Sequence, residues 1–134
     1  MRIHYLAGSM LALTACSSGE SLGQSEKAIA VFHQQLDQGA FAAIYANTTP
    51  EFRRITTEPD FIKILAAVHR KLGTFERGAN NGWRLSYNTS GNNMVVQYKS
   101  HFTNGDAAET FTFNIDKSPK LIGYNINSPT LITG

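Results

Sequence analysis

The side chains able to do chemistry are few and scattered. Glu109 is the foremost candidate for a catalytic carboxylate, because it shares the alternating parity of Phe111, Phe113 and Ile115. A carboxylate held on that apolar side would have its pKa raised by burial and could serve as a general base. The other reading sets Glu109 at a strand end beside Asn104-Gly105, where the sheet face has already reached water, and the spacing favours it. Tyr45, Tyr98 and Tyr124 are the candidate ligand-binding residues, since a phenol joins an apolar ring to a hydrogen-bonding tip. They also suit an ordinary core. His33 and His69 fall in helical runs and are read as exposed or packed helix residues. His101 takes the parity of Val95, Gln97 and Lys99, opposite to Phe102, and is read as solvated. No two histidines have local metal-ligand spacing, and Cys16 is the one cysteine, so neither a metal nor a disulfide is expected. The sequence has no Gly-x-Ser-x-Gly elbow, phosphate-cradling loop or His-Glu-x-x-His, and no cofactor is expected.

The elements that would position these groups can be read from periodicity. Ser25 is expected to cap a helix starting at Glu26, with Ala28, Ile29, Phe32 and Leu36 on one face and Gly39 as its stop. A short helical run follows over residues 40–46. Thr49-Pro50 and Thr57-Glu58-Pro59 each pair a cap with an early proline. The second opens the clearest amphipathic helix, with Phe61, Leu65, Val68 and Leu72 in register before Gly73.

After Gly73 the period shortens to two. Trp83, Leu85 and Tyr87 alternate, then Met94, Val96, Tyr98, Ser100 and Phe102, then Phe111, Phe113 and Ile115, and last Ile122, Tyr124 and Ile126. On that parity Leu121, Gly123, Asn125 and Asn127 take the other face of the last strand. Turns of a few residues between the runs imply antiparallel pairing. Helices followed by strands make an α+β domain, expected as N-terminal helices packed on a curved four-stranded antiparallel sheet.

Length and composition fit that scheme. Removing residues 1–15 leaves 119 of the 134, enough for one domain with its own core. At 42% hydrophobic and 16% charged residues, the chain is that of a folded domain. Without Arg2 the balance is 11 basic against 10 acidic residues, with no concentrated basic stripe, so nucleic acid is not an expected partner.

The leader is the most specific feature. Arg2 precedes a mostly apolar run from Ile3 to Leu13. As a helix that run would rise about 16 Å, well short of the roughly 30 Å hydrocarbon core of a bilayer, which suits a signal segment. Leu13-Thr14-Ala15-Cys16 resembles the bacterial lipobox, in which a peptidase cuts before the cysteine and the thiol carries the lipid. The expected organisation is a lipoprotein signal peptide over residues 1–15, lipidated Cys16 with a flexible tether over 16–25, and one domain over 26–134. Two or three acyl chains, at about 0.8 kcal/mol per methylene, would anchor the chain to the membrane essentially permanently. Ser17, where an Asp would retain a Gram-negative lipoprotein in the inner membrane, implies the periplasmic face of the outer membrane if the source is Gram-negative.

Helices followed by four antiparallel strands resemble the NTF2-like, or cystatin-like, superfamily. The strand region is similar to small uncharacterised bacterial lipoproteins of that class. Lys71-Leu72-Gly73, Gly82-Trp83, Tyr98-Lys99 through Phe102, Glu109-Thr110-Phe111 and residues 121–128 carry the likeness. The resemblance implies a cone-shaped fold and an envelope location, without an activity. Three functions stay open: a non-catalytic domain binding another envelope protein, a module holding a small apolar ligand, and an enzyme using Glu109 or a pocket tyrosine.

Overall fold

A computed structural model of the chain describes residues 17–89 and 91–133. The leader and Cys16 lie outside the described residues. Among the described residues five helices and four strands follow in the order α1 (Ser18–Asp37), α2 (Phe41–Ala46), α3 (Pro50–Ile55), α4 (Glu58–Leu72), β1 (Phe75–Asn88), β2 (Gly91–Phe102), β3 (Gly105–Asn114), β4 (Lys120–Asn127) and α5 (Pro129–Thr133). The strands form one antiparallel sheet in the order β1-β2-β3-β4, and the helices pack on it, as the α+β reading expects.

Helix α1 starts eight residues before the Glu26 expected from sequence. Its cap is Ser17, whose Oγ accepts from the Glu20 amide at 3.2 Å. Ser17 and Glu20 stand at the spacing of a capping box. Residues 18–25, read as tether, are therefore helix. Ser21 and Ser25 are buried and extend the stripe of Ile29, Phe32 and Leu36 by two turns. Small residues there let the helix lie close to its neighbours, which is why the segment looks like linker in composition.

The other caps fall where the sequence places them. Thr49 Oγ1 accepts from the Phe52 amide and Thr57 Oγ1 from the Asp60 amide. Phe61, Leu65, Val68 and Leu72 of α4 are all buried. Gly73 ends α4 at φ +78°, and a Cβ there would sit 2.0 Å from Thr103 Oγ1. Only glycine fits both constraints.

Two strands depart from simple alternation. β1 begins at Phe75, with register shifts after Phe75 and after Asn80. β4 is shifted between Thr112 and Phe113, so Gly123 pairs with Thr112 and Leu121 with Phe113. That bulge turns Leu121 into the core, where Ile122 was expected. The cause is a distant segment. The Leu121 amide donates to the Asn47 carbonyl and its carbonyl accepts from the Thr49 amide, both at 3.0 Å.

Candidate functional site

Glu109 lies on the helix-facing side of β3, in one row with Tyr98 of β2 and Ile126 of β4. It is 1% exposed, which corrects the expectation of a solvated strand end. The sheet face does not reach water there, because Ala107 beside it is also buried, α5 packs on β3, and α1 crosses above. One turn after Ile29, α1 directs His33 onto the carboxylate.

Three donors converge on Glu109. His33 Nε2–H donates to Oε1 at 2.7 Å and Ser100 Oγ–H to the same oxygen at 2.5 Å. The Tyr124 hydroxyl donates to Oε2 at 2.5 Å. His33 is 3% exposed and stacks on Phe75 with ring centres 3.7 Å apart, and the rings of Phe32, Phe102 and Phe111 meet it edge-on. The result is a polar cluster enclosed by aromatic groups. Burial, then the Glu109 charge and the bond to it, push the Tyr124 phenol well above its ordinary range. Tyr98 is raised by burial and by the carboxylates of Glu26 and Glu109.

This makes alkaline stability a readout of the cluster. An unfolded tyrosine ionises near pH 10, whereas native Tyr124 keeps its proton to higher pH. Its contribution is fully present below about pH 10 and is lost as pH rises toward the native pKa. Urea unfolding from about pH 8 to about pH 11 should show that decline. Tyr124→Phe should flatten it while costing about 1 kcal/mol at neutral pH. An unchanged alkaline slope would place the Tyr124 proton elsewhere.

The other candidates sit apart. Tyr45 donates to the Thr56 carbonyl at 2.9 Å, bridging α2 to the end of α3. Tyr98 flanks Glu109 on the neighbouring strand, and a Cβ on Gly78 would meet its ring at 2.4 Å. The three tyrosines therefore line no common pocket. His69, on α4, meets Phe41 edge-on, and its Nδ1 is buried without a hydrogen-bond partner among the described residues. His101 is partly exposed on the other sheet face, where it pairs with Asp106 and, at 3.3 Å, with Glu76, instead of being simply solvated. Among the described residues no group of three His, Cys, Asp or Glu could hold a metal ion.

The sequence reading missed His33 and Ser100 as partners of Glu109. Their signals were present: Ser100 has the parity of Phe102, and His33 follows Ile29 by four residues. A hollow of about 710 Å³ opens away from the cluster, on the opposite sheet face, where Ala79, Lys99, Ala108 and Asn127 form one row.

Fold and site define a small α+β domain with a closed, internally satisfied carboxylate beneath its first helix. Residues 28–124 match the family described as a protein of unknown function, DUF4019, and the chain belongs to that family. No curated protein and no solved structure matches it.

Proposed function

We propose that this chain is a lipid-anchored protein of the bacterial envelope whose NTF2-like domain is a non-catalytic protein-interaction module. The anchor is argued from Leu13-Thr14-Ala15-Cys16 after an apolar leader, and the site of residence from Ser17. The observation that carries the non-catalytic reading is the state of Glu109, which is 1% exposed and whose two oxygens already accept from His33, Ser100 and Tyr124. A general base needs a free lone pair within reach of a substrate proton. This carboxylate is spent on holding α1 against the sheet, which leaves the surface to make contacts with another envelope protein.

A second reading is an enzyme of the NTF2-like type. It is favoured by the two titratable neighbours of Glu109, because acid–base sites are built from such groupings. Labelling of the native protein with a water-soluble carbodiimide and an amine, mapped by peptide mass spectrometry, separates the two. Exposed Glu51 and Glu58 should label while Glu109 stays unmodified until the chain unfolds. Native labelling of Glu109 at a comparable rate would favour the enzyme. The small-ligand reading draws less support, because Tyr45, Tyr98 and Tyr124 do not converge.

Cys16→Ala should abolish acyl labelling and move the protein out of the membrane fraction. Unchanged labelling or fractionation would end the lipobox assignment.

A further inference from the structure

The anchor and the fold meet at the N-terminus of α1. Cys16 precedes Ser17, the cap residue, and Ser18 is already helical. Two residues span at most about 7 Å, so a lipid on Cys16 would hold the start of α1 at the bilayer surface.

Two contacts fix what lies beside that start. Asp37 Oδ1, at the end of α1, accepts from the Phe75 amide at the start of β1, 3.0 Å away. Glu26 Oε1 accepts from Asn80 Nδ2 at 3.1 Å. Helix α1 therefore runs antiparallel to β1. From Glu26 back to Ser18 the helix covers about 12 Å, and from Asn80 forward to Trp83 the strand covers about 10 Å in the same direction. The start of α1 and Trp83 consequently lie at one end of the domain.

That end carries an uncovered aromatic face. Trp83, Leu85 and Tyr87 alternate on one side of β1, opposite Val96, Met94 and Asn92 of β2. Val96 and Met94 are buried and Leu85 packs against the core, yet Trp83 is 44% and Tyr87 71% exposed. Tryptophan and tyrosine are the residues that settle at the headgroup level of a bilayer, with an apolar body and a polar tip. Other large apolar residues are exposed elsewhere, but Val31, Ile55, Ile64 and Ile132 stand on four different helices.

We infer that the Trp83–Tyr87 face of β1 is a membrane-contacting surface, seated in the phospholipid interface beside the lipidated Cys16. The domain is then docked on the bilayer in one orientation, with the opposite end, around Thr103-Asn104, turned toward the periplasm. This rests on the lipid-anchoring reading above.

Trp83 is the single tryptophan of the chain, so its emission reports this contact without substitution. The acylated full-length product would be purified and reconstituted into vesicles of phosphatidylethanolamine and phosphatidylglycerol, with or without lipids brominated high in the acyl chain. The expected result is that Trp83 loses most of its emission in brominated vesicles and is shielded from aqueous acrylamide. Tyr87→Glu, at an exposed position outside the core, should restore much of the emission. A chain that floats with the vesicles and has the acyl mass, yet emits equally in both lipids and stays open to acrylamide, would overturn the inference alone. A chain that lacks the acyl mass and does not float would overturn the anchor and the contact together.

Discussion

Glu109→Leu, made alone, is expected to destabilise the domain by about 3–5 kcal/mol, read as a fall in the urea midpoint without change of slope. The cost does not come from lost packing, since leucine fills a similar volume. It comes from what is left behind. His33, Ser100 and the Tyr124 hydroxyl would all be buried donors with nothing to receive them. Each orphaned group carries its own desolvation penalty. The decisive measurement is therefore the combined variant. Glu109→Leu with His33→Leu, Ser100→Ala and Tyr124→Phe removes the stranded donors along with the acceptor and should recover most of the loss, because apolar replacement of a whole buried network is often near neutral. If the losses of the single variants simply add, the four groups do not act as one cluster, and the pinning role assigned to Glu109 fails.

That experiment also bears on why the cluster was hidden in the sequence while much of the fold was not. Helix α4 is legible because all its determinants are local: Thr57 caps it, Pro59 sits in its first turn, four apolar residues repeat at helical spacing, and Gly73 stops it. The parity of β2 and β3 is legible for the same reason, and it correctly sets Glu109 on the side of Phe111. Whether that side is wet at Glu109 is not a local property. It depends on α1 lying across it, and His33 is 76 residues away along the chain. The bulge in β4 has a similar origin, since the bonds that bend it come from Asn47 and Thr49. The early part of α1 failed for a different reason. Two of its buried positions are the serines Ser21 and Ser25, so before Ala28 the apolar stripe is carried by Leu22 alone, a full heptad ahead of Ile29. The Ser17–Glu20 capping box and Leu22, at heptad spacing from Ile29 and Leu36, were the local signs of the true start.

Phe111→Ala tests the orientation of the whole sheet, and the expected loss is again about 3–5 kcal/mol. Phe111 is fully buried at the centre of the aromatic core. Its ring lies 5.0 Å from Phe32 edge-on, 5.2 Å from Tyr124 and 6.1 Å from a parallel Phe113, and His33 meets it as well. Truncation removes contacts with α1, with two strands and with the wall of the Glu109 cluster, leaving a cavity that these neighbours are too constrained to close. A domain of this size has only about 5–15 kcal/mol of stability, so the variant should be marginal at 37 °C. Thr112→Ala, one residue along and facing the other side of β3, supplies the internal comparison and should stay within about 1 kcal/mol of the parent. The contrast between the two, not either value alone, carries the argument: adjacent strand residues feel opposite environments only if the sheet is one-sided. A Phe111 loss below about 1 kcal/mol, or a larger loss at Thr112, would mean that the helices cover the other face, and the enclosed position of Glu109 would go with it.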